Sequence, residues 1–241
     1  MFEPRKLRVT YSVEKPDGEQ VNFVIRLDEH GVLEEPLTEG PAWTRMEGER
    51  CRDCRVRGAH CGAALAIAPV VDAFMGIDSL QLVKTRVILP NYSAEAHTPV
   101  SKVVSSIMGL TMAASGCHKI APFRAMAIYH QPFSTLEETV IRAAGFMLLG
   151  HWANATLSDQ DPFAPLIDAW QNLEEVNLRI ASSLQEYCDT DASLNGLVNL
   201  DMFAKAGGIG LDNALAALKP ALLTWNLGFS SGAAGGAGNA P

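Results

Sequence analysis

The chain has 241 residues, 48% of them hydrophobic and 19% charged, with a formal net charge of −8 and a pI near 5.2. This composition is globular, and the length suffices for one large domain with its own core. The acidic balance argues against nucleic acid or an anionic membrane as a partner for the whole chain.

The first predicted elements are strands. Leu7, Val9, Tyr11 and Val13 alternate with Arg8, Thr10, Ser12 and Glu14; after Pro16-Asp17-Gly18, Val21, Phe23, Ile25 and Leu27 alternate again. Period-two patterns on either side of such a turn predict a hairpin with one buried face. Residues 29–50 carry Gly31, Pro36, Gly40 and Pro41 and read as a long ordered loop anchored by Trp43. A cysteine-rich segment follows and opens into a helix over about 62–75. Val83, Thr85, Val87 and Leu89 alternate as a third strand, with Asn91 to Ala96 as a fourth at the sheet edge.

From Thr98 onward the pattern is helical. Thr98-Pro99 reads as an N-cap followed by proline at the first helical position, and the helix it opens ends at Gly116. Ser134 with Glu137 reads as a capping box opening a helix to about Trp152. Asp161-Pro162 opens a long helix with Leu166, Ala169, Trp170, Leu173, Val176 and Ile180 at helical spacing. Two further helices are expected near 191–206 and 211–224, with Gly207-Gly208-Ile209-Gly210 as the cap and turn between them. The expectation is α+β: a small antiparallel sheet packed on a mainly helical C-terminal bundle. It makes one domain over 1–227 (sheet and cysteine segment 1–97, helical half 98–227), followed by a flexible Gly/Ala tail over 228–241.

The chemistry concentrates in "ERCRDCRVRGAHCGAAL", residues 49–65. Cys51 and Cys54 form a pair that can bite one metal, because the turn between them points both sulfurs the same way. Cys61 follows at the mouth of a helix, whose N-terminal dipole favours a thiolate. Residue type makes Cys117, in "SGCHK", the candidate fourth ligand, with His60 and His118 as alternates in a Cys3His set. Zinc is the expected metal, and a [4Fe-4S] cluster on the same cysteines is the alternative. Free thiols on a loop are the bland reading, but this segment is polar and arginine-rich, which is poor packing material. A catalytic redox pair is disfavoured because Cys51 follows a loop rather than a strand opening a βαβ unit. Cys188, at a helix end, reads as a buried or idle thiol.

Cys51-x2-Cys54, His60-Cys61-x2-Ala-Leu-Ala and Ser115-Gly116-Cys117 together resemble a bacterial family of uncharacterised proteins. The resemblance spans roughly residues 7–223. It implies that Cys117 belongs with the first three cysteines, and it implies no activity. Where that family tends to place proline after its cysteines, this chain has Arg52, Arg55, Gly62 and His118.

Other signals are weaker. Arg45, Arg50, Arg52, Arg55 and Arg57 outnumber Glu47, Glu49 and Asp53 by only two, and no aromatics interleave with them, so they read as a solvated rim rather than a nucleic-acid surface. His130 and His151 with Glu137 and Glu138 suggest a second metal centre at first sight. His151 lies thirteen residues beyond Glu138, however, about 20 Å along a helix axis, which is too far to share one ion. Met108, Met112, Met126 and Met147 read as core fillers. Gly207–Gly210 lacks the Lys-Ser/Thr of a phosphate loop, and no nucleophile or zinc-protease motif stands out. Met1 to Val9 is charged, so no secretory leader is expected. Gly62 to Ile77 is too short and interrupted to span a bilayer. The sequence therefore points to a reduced, cytoplasmic, metal-binding protein with no catalytic residues. It would act as an interaction or regulatory module, or as an accessory subunit, through a protein partner or self-association.

Overall fold

The computed structural model describes residues 6–48, 50–154, 163–185, 187 and 192–229, with backbone alone for 203, 206–210 and 224–229. The hairpin forms as expected. β1 (Leu7–Glu14) pairs antiparallel with β2 (Gln20–Leu27), in register from Leu7 opposite Leu27 to Glu14 opposite Gln20. Gly18 takes a left-handed conformation (φ +87°) at the turn, which its missing Cβ permits. β3 (Leu82–Ile88) lies on the other side of β1 and pairs in turn with β4 (Ser93–Pro99), giving the order β2-β1-β3-β4. Val9, Tyr11, Val13, Leu27, Val83 and Val87 turn one face of this sheet inward, as the two-residue period requires. With an antiparallel sheet, one helix between its second and third strands and the other helices after it, the fold is α+β.

α1 (Gly62–Phe74) and α2 (Val100–Ala113) are buried over most of their surfaces. Five alanines in α1 let it sit close to its neighbours, and α2 runs through the centre of the helical half. Around them lie α3 (Arg124–Ile128), α4 (Leu136–Ala153), α5 (Ala164–Gln185) and α6 (Ala192–Phe229). α6 packs on α2, α4 and α5. At its crossing with α2, a Cβ on Gly196 would lie 2.5 Å from Cγ1 of Val104, so only glycine allows that approach.

Three local expectations are corrected. Thr98 is not a helix cap: it pairs with Val83, and β4 runs through Pro99 into α2 without a loop. The first donors of α2 are met by loop carbonyls instead, Val100 N–H donating to Gln81 O and Ser101 N–H to Ser79 O. The capping box sits one residue later than expected, with Thr135 Oγ1 accepting from Glu138 N–H and Glu138 Oε2 accepting from Thr135 N–H. Residues 207–210 do not end a helix, because α6 is continuous through them. Three glycines cost such a helix about 3 kcal/mol relative to alanine. Burial of Leu197 and Leu211 on its inner face, roughly 1.5–3 kcal/mol each, offsets that. The Asp161-Pro162 start, Cys188 and residues 230–241 of the expected tail lie outside the described residues, whereas 228–229 are the last turn of α6.

Candidate metal centre

The cysteine loop is held by backbone bonds and one arginine. Cys54 N–H donates to Cys51 O at 3.2 Å, closing the turn between the pair, and Asp53 adopts a left-handed backbone within it (φ +59°). Arg50 spans the loop: its guanidinium donates to the carbonyls of Val56, Gly58 and Ala59 at 3.0, 2.6 and 3.0 Å. At the far end Cys61 N–H donates to Thr44 O at 2.8 Å. Thr44 is fully buried in the single helical turn Ala42–Arg45, where Trp43 is also buried and its carbonyl accepts from Ser183 Oγ of α5. Trp43 is thus the anchor that the sequence suggests.

The second segment meets the first at Gly62. A Cβ there would lie 3.2 Å from Ser115 O, so the start of α1 rests directly against the turn that carries Cys117. Gly116 is left-handed (φ +80°), and Cys117 N–H donates to Ser115 Oγ at 3.3 Å. From α5, Glu175 reaches both segments: its carboxylate accepts from Arg52 N–H and from Lys119 Nζ, each at 2.6 Å, while Lys119 also donates to Asn172. Burial pushes the Glu175 carboxyl up, but these bonds outweigh it and hold it below the usual carboxylate range.

Cys51, Cys54, Cys61 and Cys117 are half-buried free thiols that lie within electrostatic reach of one another. Burial first, then the Glu175 carboxylate, then the other three thiols push the Cys51 thiol up to about 12. Burial also raises Cys61, while the first-turn N–H groups of Ala63 and Ala64 pull it back without a regular cap bond. Cys51 and Cys61 are therefore protonated at neutral pH and become thiolates only if a cation takes the place of the protons. Among the described residues, no three His, Cys, Asp or Glu side chains are already arranged to hold a metal ion.

Of the alternates, His60 has a defined orientation. Thr44 Oγ1 gives its proton to Pro41 O at 2.7 Å, so the 2.6 Å contact with His60 Nδ1 has the ring as donor. His118 follows Cys117 on the same turn. The sequence did not single out Arg50 as a loop staple, nor Thr44, Lys119 or Glu175. Arg50 alone had a local signal, as the first arginine of an arginine-rich loop that otherwise lacks regular structure.

The helical half holds a second cluster. The Tyr11 hydroxyl, fully buried, is shared between Ser106 Oγ of α2 at 2.8 Å and His130 Nε2 at 2.5 Å. His130 was weighed in the sequence only as a metal ligand with Glu137 and Glu138. Glu138 instead serves the helix cap, and His130 serves Tyr11.

A four-stranded antiparallel sheet and a helical bundle, with cysteines from two distant segments drawn together where the start of α1 meets the turn after α2, define the architectural class. The chain belongs to the family described as Domain of unknown function (DUF6901), which matches residues 9–221. No curated protein and no solved structure matches it. Among the described residues, no helix is long and apolar enough to cross a membrane.

Proposed function

We propose that this chain is a metal-binding protein whose centre is held by Cys51, Cys54, Cys61 and Cys117. The reading rests on one observation: four half-buried thiols, three from one segment and the fourth 56 residues beyond Cys61, share one electrostatic neighbourhood between the 50–61 loop and the turn after α2. Uncharged thiols gain nothing from that arrangement, whereas thiolates bound to a cation gain a great deal. Four thiolates saturate tetrahedral zinc, so the centre is structural and fastens the loop and α1 to the helical half. A protein of this kind serves as an interaction or regulatory module or an accessory subunit, in a reducing compartment such as the cytoplasm. Exposed Leu149 and Trp152 on α4 and Leu222 and Leu223 on α6 suit a protein partner or a second copy.

One observation favours a [4Fe-4S] cluster on the same four cysteines as a second reading. The thiols are gathered without being closed about a single point, and a cluster bridges ligands that stand further apart than those of one ion. Protein purified without air and submitted to elemental analysis decides the matter. One zinc per chain and a colourless solution support the first reading. Iron and sulfide with visible absorbance bleached by dithionite support the second. Protein free of both, and unable to take up either, overturns the proposal.

A further inference from the structure

We propose that the cavity beside Ser106 binds a small amphipathic anion, an apolar body with a carboxylate head. The cavity, about 510 Å³, opens between α2, the 120–135 segment, α4 and the inner faces of α5 and α6, in the size range of small-molecule sites. Its walls are mostly apolar, with Phe123, Met126, Trp170 and Leu200 among them. Among its polar lining residues, Ser106 and His130 meet at the Tyr11 hydroxyl, Arg142 lies within electrostatic reach of His130, and exposed Lys102 stands one helical turn before Ser106.

That polar lining is built rather than incidental. Phe133 N–H donates to Ser106 Oγ at 3.3 Å, and Ser106 shares the Tyr11 hydroxyl with His130. Phe133 holds a left-handed backbone (φ +60°) with its ring edge-on to Tyr11. A bulky residue adopts that conformation only where its surroundings impose it, and such residues gather at ligand clamps. Arg142 is fixed in the wall by bonds to Ser134 Oγ, Met126 O and Tyr129 O, which use three of its five N–H donors.

Charge selects the ligand class. The described lining carries Lys102 and Arg142 and no carboxylate, in a chain whose net charge is −8. Glu138, the acid nearest Arg142, is bonded into the helix cap at Thr135. A cationic ligand is repelled by this lining, and a carboxylate gains a charge-assisted attraction to Arg142 and Lys102 that a neutral ligand lacks. Burial and the nearby Arg142 lower His130 to about 3, so it acts as a neutral hydrogen-bonding partner and adds no charge.

Decanoate, decanol and decyltrimethylammonium, below the concentrations at which they form micelles, test this with the full-length protein. Binding is followed by calorimetry and by the fluorescence of Trp170, with Trp170→Phe as the control. Decanoate is expected to bind one to one and to change Trp170 emission, about tenfold more tightly than decanol, with no response to the ammonium compound. Arg142→Gln weakens decanoate by about tenfold or more, and Lys102→Glu, an exposed position that leaves packing intact, by about threefold. Absence of decanoate binding, equal binding of all three probes, tighter binding of the cation, or affinity unchanged in Lys102→Glu each overturns the proposal. The Lys102→Glu result stands even where Arg142→Gln fails to fold.

Discussion

Two regions of this molecule meet at α2 and are built on opposite principles. Just past its C-terminal end lies the cysteine neighbourhood, made of loops and turns whose conformation depends on Arg50, Thr44 and Glu175. Midway along it lies the Tyr11–Ser106–His130 cluster, whose members come from β1, α2 and the segment after α3. The first holds rare, reactive residues on a backbone that has little structure of its own. The second holds common residues on a strand, a helix and a short connecting segment, joined by their own hydrogen bonds. A site on loops needs something to bind before it is rigid, while a site on helices and strands is rigid beforehand.

Breaking the proposed metal centre is expected to have the largest effect. Cys54→Ala removes one of four thiolates, and the protein loses its metal and on the order of 10 °C in melting temperature. The His130 cluster, anchored elsewhere, keeps its imidazole chemical shifts. An unchanged melting temperature and metal content would mean that Cys54 has no structural role.

Acid is expected to strike the other region. His130 is neutral in the fold, with its pKa lowered from 6.5 to about 3 by burial and by Arg142. The unfolded chain therefore binds a proton that the folded chain refuses. The stability that this histidine contributes is complete above about pH 6.5 and is lost as pH falls toward 3, by up to about 1.4 kcal/mol per pH unit. Denaturant titrations across that window show the slope, and His130→Gln flattens it. A slope identical in the variant would mean that carboxylates alone carry the acid sensitivity.

Tyr11→Phe sharpens the contrast further. It leaves Ser106 and His130 without the hydroxyl they share and costs about 1–3 kcal/mol, with metal content unchanged. Glu175→Gln tests the link between α5 and the loop. Lys119 and Glu175 are 10% and 25% exposed, between a surface pair and a buried one, so the loss is about 1–2 kcal/mol. Weaker metal retention against a chelator accompanies it, because Arg52 N–H loses a charged acceptor beside Cys51. Retention equal to that of the native protein would separate Glu175 from the metal centre.

The sheet was legible because Leu7 to Val13 and Val21 to Leu27 alternate around a Pro-Asp-Gly turn, with exposed Val24 out of phase. Helix starts were less so. Thr98 and Ser134 are both good cap residues, yet the register of β4 claims the first, and the second lies one residue before the true cap at Thr135. The break expected at Gly207–Gly210 failed because packing of α6 outweighs glycine propensity. The cysteines declared themselves by type and spacing. Tyr11, Ser106 and His130 did not: each residue is ordinary alone, and 95 and 119 positions separate Tyr11 from its two partners. Nothing local marks such a contact.

X-ray absorption at the edge of the bound metal tests the central claim most directly. Four sulfur scatterers in the first shell, at about 2.3 Å for zinc, falling by one in Cys117→Ala, are the predicted result. A shell of nitrogen and oxygen, or a sulfur count that the loss of Cys117 leaves untouched, would contradict it.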